Sequence, residues 1–556
     1  MASLLACKVR NKLEWYEVYN SVGTGMENNM DVENMRKILS FSYYELPCHL
    51  RTCLLYLSMF PEDFEIDKDC LIRMWIAEGF IQWEKQGKSP FEIGEFYFNE
   101  LINRSMIQPI QNQYGMLNSC RIHDMVLDLI RSLSSEENFV TVLSDMDSTS
   151  PSNTIRRLSL QNGKKSDIIA QATRNLLQRA RSVVIFPAAV AQVPAASSCR
   201  FLRVLDLEHC NLSHTDSLKY LGNLYQLRYL RLYSTHISQL PEEIGNLQFL
   251  QTLDVRSNPI SILPSSVVEL RNLMCLDIDA TTRVPNGIGN LTCLEQLSWL
   301  CIDGSTINII EELGQLTELR RLWIKLDEWN DKLLGCLRKL QKIQELQIVP
   351  RHPDSIDRCL CNIGGLDAWV APRHLRLLNT QGICWFSTLP AWVNPSFVPV
   401  LTCLRIAVRE LHQVDLDILG RLPALLHLWL MVDNKNMGIL QGGLIVSPGS
   451  FPCLEFCYFF EFVWPVVFQK GAMPRLRVLE LWLLFYVREA RGIASSHGGR
   501  DLGLGNLPSL QEVIATVQCE GASKEEAEQA KAALTRAAKM HPSHPHHNIR
   551  ICVYWL

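Results

Sequence analysis

Leu224-Tyr225-Gln226-Leu227-Arg228-Tyr229-Leu230-Arg231-Leu232 carries leucine at every third position and then at alternate ones, L-x-x-L-x-x-L-x-L. The phrase returns as Leu247, Leu250, Leu253 and Val255, and as Leu270, Leu273, Leu276 and Ile278. Leu291, Leu294 and Leu297 follow, then Leu316, Leu319, Leu322 and Ile324, then Leu340, Ile343, Leu346 and Ile348. Its third anchor advances from 230 to 253, 276, 297, 322 and 346, in steps of 21 to 25 residues.

That period lies in the range of leucine-rich repeats. The closing x-L-x-L-x of each phrase is a short strand whose leucines turn inward and stack on those of the next coil, while the x residues face solvent on the concave side. Leu240-Pro241, Leu263-Pro264 and Val284-Pro285 turn the chain, and Ile244-Gly245-Asn246-Leu247 and Ile288-Gly289-Asn290-Leu291 close the coil at the same offset. This L-P-x-x-I-G-N-L phrase resembles the plant type of repeat. After about residue 350 the repeats become irregular, with Leu375, Leu404, Leu428, Leu454 and Leu479 still in strand-like phrases. Ser523-Lys524-Glu525-Glu526 reads as a capping box that opens an Ala-rich helix to about Lys539, a terminal cap on the last coil.

The x positions are the candidate partner-binding surface: Tyr229, Arg231, Tyr233, Asp254, Arg256, Asp277, Asp279, Arg321, Trp323, Lys325, Trp429 and Trp482. Trp323 and Trp429 occupy one strand slot, L-W-I and L-W-L, and aromatics ringed by charge are typical anchors of protein–protein contacts.

Bulk numbers bound the rest. A chain of 556 residues exceeds one ordinary core, and 47% hydrophobic with 20% charged residues is the composition of folded protein. A formal net charge of -4 gives no electrostatic reason for nucleic acid or an anionic membrane as the main partner. The 19 cysteines are scattered through apolar stretches without zinc spacing, as free thiols in a reducing compartment would be. Cys453 and Cys457 are four apart but lie in repeat core, and His541, His544, His546 and His547 form a Pro-rich tract; neither is read as a metal site. Met1–Cys7 is too short for a signal-peptide core, and Phe451–Phe468 is broken by Pro452, Glu455, Glu461 and Pro465, so no span is expected and the chain reads as cytoplasmic.

Upstream of the repeats, periodicity predicts helices over Asp31 to Leu46, His49 to Met59, Lys68 to Gly79 and Ile93 to Arg104. A hairpin over Met106–Arg121 and a last helix from His123 to Leu133 complete a winged helix. Residues 31–134 hold ten Lys/Arg against fifteen Asp/Glu, the wrong sign for a phosphate-tracking DNA-binding surface.

Cys53-Leu54-Leu55-Tyr56-Leu57-Ser58-Met59-Phe60-Pro61-Glu62-Asp63 and Leu71-Ile72-Arg73-Met74-Trp75-Ile76-Ala77-Glu78-Gly79-Phe80 are similar to the C-terminal part of the NB-ARC switch of plant coiled-coil nucleotide-binding leucine-rich-repeat resistance proteins. Ile122-His123-Asp124 stands where that family has Met-His-Asp, and Arg156-Arg157-Leu158-Ser159-Leu160 resembles the segment that leads into its repeats. The resemblance implies a receptor held closed by ADP and opened by exchange for ATP. In it His123 reaches the nucleotide phosphates, and Asp124 caps or orients the helix that follows. The chain itself has no G-x-x-x-x-G-K-[ST] loop, and Gly23-Thr24-Gly25 is a lone glycine pair, so no cofactor is expected in this chain. Nor does any arrangement of nucleophile, base or paired carboxylates point to an enzyme.

The expectation is therefore an α/β chain, a winged helix followed by a curved leucine-rich-repeat solenoid. Its parts are a remnant of the helical NB-ARC subdomain (1–30), the winged helix (31–140), a linker and lead-in to the repeats (141–198), the repeats (199–520) and a cap (521–556). The coiled coil and the phosphate-loop subdomain of the family are expected to be missing. The implied function is an immune receptor fragment whose partner is a pathogen effector or a guarded host protein, with a full-length receptor of the family as a second possible partner. The rivals are a repeat adaptor such as a ubiquitin-ligase substrate receptor, a switchless decoy or regulator, and a DNA-binding regulator.

Overall fold

The computed structural model describes residues 30–82, 87–112, 115–143, 155–161, 179–186, 199–213, 218, 220–303, 307–326, 329–350, 366–380, 385–432, 444–462, 466–486, 503–520, 532, 535, 538–539, 541–542 and 546–554. The chain forms two compact units, Met1–Pro285 and Asn286–Leu556. The expected remnant at 1–30, apart from Met30, and most of the Ala-rich helix lie outside the described residues.

Five helices open the first unit: α1 (Met30–Tyr44), α2 (Cys48–Tyr56), α3 (Lys68–Glu78), α4 (Pro90–Asn103) and α5 (Asp124–Glu136). The boundaries of α3 and the start of α4 have local causes. Asp67 caps α3 by accepting from the Cys70 N–H at 2.8 Å, and Gly79 ends it in the left-handed region at φ 83°. Ser89 and Glu92 form a reciprocal capping box at α4, with Pro90 in the first turn. Strands β1 (Ile66–Asp67), β2 (Gln108–Gln111) and β3 (Leu117–Arg121) make a small antiparallel sheet in the order β1-β3-β2, the wing. Leu54, Tyr56, Trp75, Phe98, Leu127 and Ile130 fill the core at 0% exposure.

The same unit continues into a parallel sheet: β4 (Thr141–Leu143), β5 (Arg157–Leu160), β6 (Ser182–Ile185), β7 (Val204–Asp206), β8 (Tyr229–Arg231), β9 (Thr252–Asp254) and β10 (Cys275–Asp277). Its first three strands fall within the stretch read as linker and lead-in. Leu205, Leu230, Leu253 and Leu276 face one another in register, so each coil adds one leucine to a continuous stripe. Asn258 closes the turn after β9: its amide donates to the Leu232 and Val255 carbonyls (2.6 and 3.0 Å), and its Oδ1 accepts from the Thr235 N–H at 3.0 Å.

In the second unit the stripe runs through Leu297, Leu322, Leu346, Leu378, Leu404, Leu428, Cys457, Leu479 and Val513, paired in parallel in that order. Cys457 is thus a buried strand residue, with no helical partner in Cys453. The stretch read as a cap contributes strand His546–Tyr554, paired with Glu512–Glu520. Short helices Ile307–Leu313, Asp331–Leu337 and Gln413–Gly420 connect the irregular coils.

The glycine of the I-G-N-L phrase has a packing reason. A Cβ on Gly245 would lie 2.7 Å from the Ser266 Cβ and 3.1 Å from the Ser266 carbonyl oxygen of the next coil, so neighbouring turns approach only if this residue lacks a side chain. Gly245→Val is expected to lower stability by roughly 1–3 kcal/mol through overpacking. Gly335→Ala, where nothing lies within 4 Å, should be neutral or stabilising. Denaturant midpoints of the two variants check this.

Candidate functional site

The outward residues of the repeat strands meet different fates. In the first unit Tyr229, Arg231, Asp254 and Asp277, expected to face solvent, are 0%, 8%, 1% and 1% exposed. They are covered because α3 lies against β7 and β8. Its sequence period shows one apolar face, Leu71, Ile72, Trp75 and Ile76, but Cys70, Arg73 and Glu78 on the other side are buried as well. One face packs into the winged helix, and the other onto the repeats. Tyr233, Arg256 and Asp279 are half-buried.

A buried face that carries charge must pair it. Arg73 of α3 hydrogen-bonds Asp277. Arg256 binds Asp254 through two bonds, 2.9 and 2.6 Å, and Arg231 binds Glu208 likewise at 2.6 and 2.7 Å. Arg231 also approaches Asp206 and Asp254, at 3.6 Å each, so a base lies between two acids across β7, β8 and β9. Burial pushes the Asp206 carboxyl up to about 6, against the pull of Arg231. Glu208 is raised too, again mainly by burial.

A second set ties α3 to β5 and β6. Arg157 grips Glu78 at 2.9 and 3.1 Å, its guanidinium 4.1 Å from the centroid of Phe139, and Ser182 donates to the same carboxylate. The Met59 carbonyl accepts from Ser159 and Gln161 at 2.6 and 3.0 Å.

In the second unit the outward positions keep half-buried aromatics. Trp429 stacks on Phe460 (5.5 Å between centroids), and Phe460 meets Trp482 at 4.4 Å. Tyr458 sits opposite Trp429 in the ladder. Trp323 meets Trp299 edge-on at 5.3 Å, Lys325 lies over the Trp299 ring, and Arg321 pairs with Glu345 at 3.1 Å. Trp299, Tyr458 and Phe460 were missed from sequence, because a bulge puts Trp299 out of phase and the irregular coils hide the strand of the other two. His427 stacks on Phe456, and burial, with Arg405 second, lowers it to about 4.

His123 and Asp124 are exposed at the start of α5. It is His123 that occupies the cap position, its Nδ1 accepting from the Met125 N–H at 3.3 Å, and Asp124 follows in the first turn. With Nδ1 accepting, the neutral ring keeps Nε2 as its donor. Ile122 is buried in the core.

Among protein families, a leucine-rich repeat region matches residues 179–547, and a disease resistance protein winged helix domain matches 59–130. The chain belongs to the leucine-rich-repeat disease resistance family. Rice (Oryza sativa subsp. japonica) disease resistance protein RGA5 is 29% identical over 98% of this chain and 48% of its own length. Disease resistance protein PIK6-NP, also from rice, is 30% identical over 86% of this chain and 51% of its own. Disease resistance RPP13-like protein 4 from Arabidopsis thaliana is 29% identical over 75% and 49%. The chain spans about half the length of these relatives. Among its described residues no helix is long and apolar enough to cross a membrane, and no group of His, Cys, Asp or Glu could hold a metal ion.

Removing one partner of a buried ion pair leaves the other uncompensated. Arg73→Ala is therefore expected to destabilise the first unit by roughly 3–5 kcal/mol, and Arg73→Met with Asp277→Leu to recover most of that. Chemical denaturation of the single and double variants measures it. The two units should also answer pH with opposite sign. Asp206, raised in the fold, contributes stability that is full below its ordinary value of 3.8 and lost as pH rises through about 6. His427, lowered in the fold, contributes stability that is full above 6.5 and lost as pH falls towards about 4. In melting curves between pH 4 and 7, Asp206→Asn should weaken the first trend, leaving the share of Glu208, and His427→Gln should remove the second.

Proposed function

We propose that this chain is the sensing and regulatory part of a plant immune receptor. Its repeats recognise a protein, a pathogen effector or a guarded host protein, and its winged helix belongs to a nucleotide-dependent switch. The observation that carries the proposal is the division of the outward repeat residues. Tyr229, Arg231, Asp254 and Asp277 of the first unit are sealed beneath α3 with their charges paired, while the second unit carries half-buried tryptophans suited to anchor a partner. The disease resistance relatives support the immune setting.

In this mechanism the winged helix and the first repeats move as one body. A partner that binds the open receptor better than the closed one shifts the equilibrium by its difference in affinity and by no more. ADP or ATP is the group the family implies. This chain offers it the Nε2 donor of His123 and the positive end of α5. The phosphate loop would be supplied by a nucleotide-binding domain, since this sequence contains none. Bound ADP would supply phosphate oxygens for His123 to hold, and Asp124 stabilises the helix end that presents the imidazole.

In a receptor carrying this region together with a nucleotide-binding domain, His123→Ala and Asp124→Val are expected to raise resting cell death in leaves, measured as ion leakage. Trp429→Ala with Trp482→Ala should leave the resting level alone and abolish the response to the eliciting protein. Unchanged resting activity in the first pair would remove the switch from the proposal, and an intact response in the second would remove the sensing face.

A further inference from the structure

Strand Gln296–Ile302 pairs in parallel with Arg321–Leu326, but the register slips between Leu297 and Leu300. Trp299 sits in the slip with φ 59°. A bulky residue in the left-handed region is strained, and a bulge there re-aims a side chain. The re-aimed indole meets Trp323 edge-on, with an interplanar angle of 63°, and lies beneath the Lys325 ammonium, 5.2 Å from its centroid.

Two donors in this cluster lack an acceptor. The Trp323 Nε1–H is buried with no hydrogen-bond partner. Lys325 is half-buried and, among the described residues, has the Trp299 ring as its contact and no carboxylate. Arg321 on the same strand is held by Glu345, so among the described residues the two cations of this strand differ in having an acid. Positions 323 and 325 are two apart on one strand and share its outward face. A buried N–H and a cation on one face, both without an acceptor, call for the same ligand group.

We infer that Trp323 and Lys325, flanked by Trp299, form a receptor for a carboxylate of the partner protein, an Asp or Glu side chain within an acidic segment. The inference rests on the sensing role proposed for this face and names the chemistry that one part of it selects. Lys325 supplies the charge, and the Trp323 N–H supplies direction. Trp299 flanks both donors, edge-on to Trp323 and beneath the Lys325 ammonium. A cationic ligand does not fit, because Lys325 already holds the ring face and repels a second positive charge. A nucleic acid does not fit either, because the one unpaired cation that the described residues place in this cluster cannot track a phosphate backbone.

The probe is N-acetyl-hexaglutamate, titrated into the whole chain at low salt with hexalysine as the control. The readouts are calorimetry and protection of Lys325 from amine acetylation, followed by mass spectrometry. Saturable binding that shields Lys325 is expected. Lys325→Met should weaken it by about tenfold, the scale of one charge-assisted contact. Trp323→Phe, which keeps a ring and removes the donor, should weaken it less, and Trp299→Ala should not weaken it. Circular dichroism confirms that each variant is folded. Absent protection of Lys325, or equal binding by Lys325→Met, overturns the inference. In leaves, loss of the elicited response in Trp429→Ala with Trp482→Ala, but not in Lys325→Met, would keep the sensing face and sink the carboxylate site. Loss in Lys325→Met supports both.

Discussion

One coil of 21 to 25 residues cannot bury its own leucines, so every repeat depends on its neighbour for a core. Parallel pairing in exact register satisfies that need, with Leu205, Leu230, Leu253 and Leu276 stacked in line. The turns must then approach closely, which is why Gly245 meets Ser266 and Asn258 binds backbone from two coils. Alternation along each strand does the rest, because a leucine turned inward leaves its neighbour turned out.

What covers that outward face differs along the chain. In the first unit α3 covers it, and the covering has two layers of chemistry. Phe60, Phe64 and Phe186 pack edge to face and stacked, with centroids 5.1 to 6.2 Å apart, and join the winged-helix core to β6. Around them Arg73, Arg157, Arg231 and Arg256 are each matched to acids. Such pairs add modest net stability against an apolar alternative, yet each is costly to break singly. The contact is therefore sensitive to the loss of any one partner, and while intact it ties the winged helix and the first repeats into one body.

The motif histidine combines a local capping role with an exposed ring. His123 satisfies a helix end through Nδ1 and remains exposed, so its other nitrogen is open to a partner. Capping fixes the tautomer, and the tautomer makes the side chain a donor.

Much of the fold was legible in the residues. Leucine spacing marked the solenoid, Ser89-x-x-Glu92 and Gly79 marked helix ends, and the runs around Met59 and Trp75 marked the winged helix of the family. Periodicity also placed Trp323, Lys325, Trp429 and Trp482 outward. It could not say that Tyr229, Arg231, Asp254 and Asp277 would be covered, because that depends on a helix more than 150 residues upstream folding back onto them. Nor could it find Trp299, whose direction is set by a bulge and not by its place in the phrase. Away from that bulge, sequence alone determined which residues turn in and which turn out, since that follows from the two-residue period of a strand. Only the tertiary structure decided which outward residues stay open, since burial is a property of what packs against a face and not of the face itself.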